Sequence, residues 1–187
     1  MLNIRGIYQK NKGFTLIEVI LALAISSMII LPIFNILNFS VNACITGEEK
    51  DELMLNGRYA IEYIKNEVRA AEKIITSNKI VGLRANYPTN IGFVIMMPEG
   101  NLYNRFITYH TKNGELIRLS GKVPKSRYPT YNELAGFNQI CEFVDSIKDS
   151  KFHADHNMIY LDFKFKSNRR ENLRLKTDIF IRCPIDY

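Results

Sequence analysis

From residue 14 to residue 41 nearly every position is apolar or small, with no helical or strand-like alternation of polar sites. A helix rising 1.5 Å per residue needs about 20 such residues to cross a hydrocarbon layer of roughly 30 Å. The run therefore predicts a membrane-spanning helix that projects beyond the bilayer. Pro32 lies inside it, removes the bond to the Met28 carbonyl, and predicts a kink near residues 28–32. Polarity then returns with a helical period. Leu53, Ala60, Ile64, Val68, Ala71 and Ile75 recur mostly three or four apart, widened by Ile61 and Ile74. This predicts an amphipathic helix over 48–76, continuing the first into one spine. Arg58, Glu62, Lys65, Glu67, Arg69, Glu72 and Lys73 lie largely on its polar side, with Arg58 and Glu62 spaced to pair. Gly57 is its one weak point, at about 1 kcal/mol against alanine.

After Asn78 the period shortens to that of strands. Residues 80–84 form a short candidate and 91–97 a nearly continuous apolar run suited to a buried strand. Residues 102–110 and 115–119 flank Thr111-Lys112-Asn113-Gly114, and Asn-Gly is a strong hairpin signal. Residues 120–133, with Pro124, Pro129, Lys122, Lys125 and Arg127, read as an exposed loop, and 140–147 as a further strand. Residues 158–167 alternate, with Ile159, Leu161, Phe163 and Phe165 on one face. After a turn at 168–172, residues 173–182 return with Leu175, Thr177, Ile179 and Ile181 aligned. A helix packed on an antiparallel meander is an α+β arrangement. The expected organisation is 1–13 leader, 14–41 membrane helix, 42–78 amphipathic helix and 79–187 β-domain.

One charge interrupts the apolar run. Between Lys12 and Glu48 the sole charged residue is Glu18. A carboxylate deep in a membrane helix costs about 2.5–3.5 kcal/mol on insertion scales, so its presence points to a function. The border before it is sharp: residues 1–13 carry Arg5, Lys10 and Lys12 and no acid. That asymmetry keeps the N-terminus cytoplasmic. A secretory signal has an apolar stretch of only about 7–15 residues, much shorter than this one.

Lys12-Gly13-Phe14-Thr15-Leu16-Ile17-Glu18-Val19 resembles the prepilin processing motif of the type IV pilin and pseudopilin family at every defining position. The resemblance implies a pilin-like fold, cleavage between Gly13 and Phe14 by prepilin peptidase, and N-methylation of the new terminal Phe14. Lys10 and Lys12 would be the basic residues of the leader. Glu18 would be the fifth residue of the mature chain and pair with the Phe14 amine of a neighbouring subunit. The implied partners are prepilin peptidase, other pilin or pseudopilin subunits and a membrane assembly platform. The implied machine is a type IV pilus, a type II secretion system or a DNA-uptake pseudopilus. The family's usual proline lies further along than Pro32. Residues 58–64 and 67–71 are also similar to the helix of J-type pseudopilins and PilW-like minor pilins, as is the closing hairpin with Arg182 after it. The competence pseudopilins of Gram-positive bacteria share this layout. These likenesses imply a minor tip or initiation subunit. The competing reading is a single-pass membrane protein whose external domain binds a partner and never polymerises.

Composition narrows the rest. Three of the net +6 charges sit in residues 1–13, and the remaining +3 is too mild to argue for nucleic acid. Lys164, Lys166, Arg169, Arg170 and Arg174 read as a solvated hairpin tip. Val41-Asn42-Ala43-Cys44 is a poor lipoprotein box, because the preceding stretch is too long and Asn42 fits badly. Of three cysteines, Cys141 and Cys183 have two open fates, a disulfide or two small buried side chains. His153-Ala154-Asp155-His156 has ligand types without a third partner nearby, and Asp145, Asp149 and Asp155 match no calcium-loop spacing. No phosphate loop, nucleophile elbow or catalytic cysteine signature occurs. The expectation is a substrate of enzymes, with no catalytic, metal or cofactor residues. Tyr87, Tyr103, Tyr128 and Tyr131 are open to roles in strands or at an interface.

Overall fold

A computed structural model describes residues 13–167 and 171–186. They divide into two compact units, one ending at Ile45 and one beginning at Thr46. The first helix, α1 (Leu16–Arg69), enters both, and Pro32 lies within it. In the first unit every large apolar side chain from Phe14 to Val41 is exposed. Ser27 satisfies its hydroxyl on the Ala24 carbonyl at 2.8 Å, which suits a helix with no water beside it.

In the second unit the apolar stripe of α1 is buried as its period predicts: Leu53, Gly57, Ala60, Ile61, Ile64 and Val68. The helix stops at Arg69, short of the expected 76. The Glu72 N–H donates to the Met96 carbonyl, which takes the chain out of the helix and into a sheet. Lys73–Thr76 is the strand β1. Its adjacent residues Ile74 and Ile75 are both fully buried, one in each of two cores on opposite sheet faces. β-branched side chains suit that alternation better than a helix.

The expected strand at 80–84 is also absent. Gly82, at φ +77°, turns the chain into a single helical turn, α2 (Leu83–Asn86), and Leu83 is buried in the second core. A meander follows: β2 (Phe93–Glu99), β3 (Tyr103–Lys112), β4 (Glu115–Pro124) and β5 (Gly136–Cys141). Asn113 and Gly114, at φ +53° and +82°, make the two-residue turn that the Asn-Gly signal predicts. β4 takes up residues 120–124 of the expected loop because it pairs with β3 as far as Pro124 against Tyr103. The expected strand at 140–147 breaks at Phe143, whose φ is +62°, into β5 and β6 (Val144–Ser146). β7 (Lys151–His153), β8 (Met158–Lys166) and β9 (Asn172–Phe180) complete a second sheet, with β6 and β7 beside one edge of β8 and β9 along the other. The six-stranded sheet runs β10-β1-β2-β3-β4-β5, where β10 (Ile185–Asp186) lies parallel to β1. This short parallel strand has no periodicity to betray it.

The first core lies between α1 and the inner faces of both sheets, and includes Phe93, Ile107, Leu161, Phe163 and Phe165. Gly57 sits where α1 meets the second sheet. A Cβ placed there meets Leu175 and comes within 2.9 Å of the Phe165 ring. The weak point of the helix is thus its point of closest approach. Gly57→Val is expected to destabilise the domain by about 1–3 kcal/mol through overpacking, with a lower thermal midpoint, where an exposed helix glycine would tolerate the change. An unchanged midpoint would refute the close-approach role.

Two polar clusters fasten these layers. Glu67 of α1, expected on the polar side, accepts from Arg118 Nη2 at 2.8 Å and from the Tyr109 hydroxyl, and both charged side chains are largely buried. Burial and the Glu67 carboxylate push the Tyr109 hydroxyl well above its usual range, which keeps it a donor. At the sheet edge, Asp186 is held by Lys79 and by the Tyr128 hydroxyl, whose pKa this bond and burial push up to about 12. The expected Arg58–Glu62 pair is replaced by Lys65–Glu62 at 2.9 Å.

Candidate functional site

The site is assembled from the first residues described. Gly13, Phe14 and Thr15 precede the helix and are exposed, Phe14 at 88%. Thr15 is the residue before the first helical turn, and Glu18 is its third position. The two residues close on each other. Glu18 Oε2 accepts from the Thr15 N–H at 2.8 Å and from the Thr15 hydroxyl at 2.9 Å, while the Glu18 N–H reaches Thr15 Oγ1 at 3.4 Å. This is a capping box: each side chain satisfies a backbone donor that the helix start leaves open. Negative charge at that end also complements the helix dipole.

Glu18 therefore has two faces. Oε2 is committed to Thr15, and among the described residues Oε1 has no hydrogen-bond partner. The reading of Glu18 as a bare charge missed the cap. Its signal was present as Thr-x-x-Glu directly ahead of an apolar run. A Cβ on Gly13 would meet nothing within 4 Å, so packing within this chain does not demand glycine there. Lys10 and Lys12 lie outside the described residues.

Residues 8–34 match the family of the prokaryotic N-terminal methylation motif. The chain carries the type IV prepilin signature. It is the signature of pilin-like precursors processed by prepilin peptidase and assembled with other pilin subunits, and it points to a structural subunit. It coincides with a helix long and apolar enough to cross a membrane, with none of its apolar window buried, as a single-pass membrane anchor requires. The α+β, antiparallel-rich architecture is pilin-like. No curated protein and no solved structure matches the chain.

The other candidates are dispersed. Cys141 and Cys183 are free thiols, the first on β5 and the second just before β10, at opposite ends of the six-stranded order. A disulfide needs Cα atoms within about 7 Å, and five strand spacings of about 4.8 Å intervene along that order. The fold thus keeps the two apart, and burial pushes the Cys141 thiol up to about 12. His153 and His156 lie 6.4 Å apart between ring centres, and no group of three ligand types assembles among the described residues. Asp149 is taken by Lys164 at 2.7 Å and Arg174 at 3.3 Å, while Arg174 forks onto the buried Asp162 at 2.6 and 2.8 Å. The supposed basic tip is therefore partly neutralised; Arg169 and Arg170 lie outside the described residues. The tyrosines serve packing in several places: Tyr87 packs at a tilt against His110, Tyr128 meets Phe106 edge-on, and Lys122 sits over Tyr103.

Proposed function

We propose that this chain is a minor pilin or pseudopilin, cleaved between Gly13 and Phe14, N-methylated on Phe14, and built into a pilus-like, secretion or DNA-uptake fibre at its tip or during initiation. The observation that carries the proposal is the capped, carboxylate-bearing start of a helix whose large apolar side chains are exposed as far as Val41. Lys10 and Lys12 hold the leader on the cytoplasmic side, and the β-domain lies outside the membrane. Cleavage leaves a cationic amine on Phe14. A neighbouring subunit offers Glu18 Oε1 to that amine, while Oε2 stays on Thr15. Pairing opposite charges offsets the cost of holding each in lipid. The assembly platform in the membrane is the surface on which subunits meet. The minor role rests on the likeness of residues 58–71 and of the closing hairpin to minor subunits.

Mass analysis of the protein from peptidase-positive cells is expected to find Phe14 as the first residue, carrying one added methyl group. Gly13→Val is expected to leave the full leader in place. An intact leader on the wild-type protein in such cells would favour the non-polymerising membrane protein instead.

A further inference from the structure

We propose that the face of the six-stranded sheet turned away from α1 carries a binding site for a small anionic sugar, lined by Lys73, Asn104, Lys125, Ser126 and Tyr128. A cavity of about 350 Å³ opens there, with Met96 and Phe106 in its wall. That lies within the usual range for small-molecule sites, about 300–1,000 Å³. Asn104 is the unusual residue in it. Its side chain is more than nine-tenths buried, and among the described residues its Nδ2 donates only to the Met96 sulfur at 3.3 Å and its Oδ1 has no partner. Sulfur is a weak acceptor, and an unpaired buried amide oxygen costs stability. A carboxamide kept there at a cost is poised to hydrogen-bond something absent from the fold.

The charges lining the cavity sort into spent and unspent. Arg127 is held by Glu133 at 2.5 and 2.8 Å, and the Tyr128 hydroxyl donates to Asp186, which Lys79 also pairs. Among the described residues Lys73 and Lys125 have no ion pair, although Lys73 lies within the field of Asp186. The Ser126 hydroxyl likewise makes no hydrogen bond among the described residues. Two ammonium groups select an anion. The Asn104 oxygen calls for a donor beside the negative charge, which the hydroxyl groups of a sugar supply. The half-buried Tyr128 ring, braced edge-on by Phe106 at 6.2 Å, offers an aromatic face to the C–H side of a sugar ring. The shared chemistry is an anionic group on a hydroxylated ring, supplied by a uronate or by a sugar phosphate.

The test titrates the full chain in detergent micelles with glucuronate and with glucose 6-phosphate, using glucose and inorganic phosphate as references, and reads heat by calorimetry. Saturable binding of at least one charged sugar is expected, about tenfold or more tighter than either reference, since one charge-assisted bond is worth about a factor of ten. Glucuronate alone would assign a carboxylate, glucose 6-phosphate alone a phosphate. Lys125→Gln, at an exposed position, is expected to weaken binding about tenfold. Asn104→Leu is expected to weaken binding while raising the thermal midpoint, because it removes the unpaired oxygen. No saturable heat with either charged sugar, binding no tighter than the references, or unchanged affinity in Lys125→Gln would overturn the site.

Discussion

Glu18→Val is expected to leave processing after Gly13 intact and to strip the subunit from fibres. The argument is one of partition. A carboxylate in a membrane helix costs about 2.5–3.5 kcal/mol, and under the proposed function pairing with a neighbour's amine relieves that cost only in the fibre. Valine removes the cost in the membrane and the gain in the fibre together. The preference for assembly then falls by roughly a hundredfold, since about 1.4 kcal/mol is a factor of ten. The readout is the ratio of subunit in sheared fibres to subunit in membranes. Glu18→Gln separates the two jobs of the residue, because glutamine retains an acceptor for the Thr15 donors and loses the charge. The glutamine variant is expected to fail as valine does. Normal incorporation of Glu18→Gln would make the cap the whole role of Glu18, and normal incorporation of Glu18→Val would remove both roles.

Glu67→Ala is expected to unfold the β-domain at a much lower temperature. The substitution leaves Arg118, with only 12% of its side chain exposed, without its counter-charge, and leaves the Tyr109 hydroxyl without its acceptor. Breaking a buried pair by removing one partner costs about 3–5 kcal/mol. For a protein of this size each 1 kcal/mol moves the midpoint by about 2–4 °C, so a drop of roughly 6–20 °C is expected. Pairing the change with Arg118→Met is expected to recover much of the loss, because an apolar side chain needs no counter-charge. Circular dichroism melting of the micelle-bound chain measures both. A midpoint within about 2 °C of wild type would mean that the cluster is decorative.

These two residues mark where the sequence was legible and where it was not. Glu18 announced itself because its surroundings are uniform: one charge in an apolar run is visible without a fold. Even there the cap is less visible than the charge, because Thr15 is one small polar residue three places before it at the edge of the run. The stripe Leu53–Val68 and the alternation in β8 were legible for the same local reason. Glu67 was not. Its partner is 51 positions away, on a strand whose register no local pattern gives. Ile74 and Ile75 were misplaced because helix and strand both account for two adjacent apolar residues. Only the Glu72 hydrogen bond to β2 decides between them. Gly57 read as a flaw because propensity counts what a residue does to its own helix and not what presses against it.

The parallel strand β10 has a consequence in time. Lys79 and Asp186, which fasten it beside β1, are 107 positions apart. Synthesis therefore delivers β1 to β5 long before the strand that closes the free side of β1. Closing so long a loop is slow, and an unpaired strand edge is an invitation to other strands. In the interval the half-finished domain is sticky along one seam. A cell making this protein in quantity is expected to need either a holding factor at the membrane surface or a low rate of delivery.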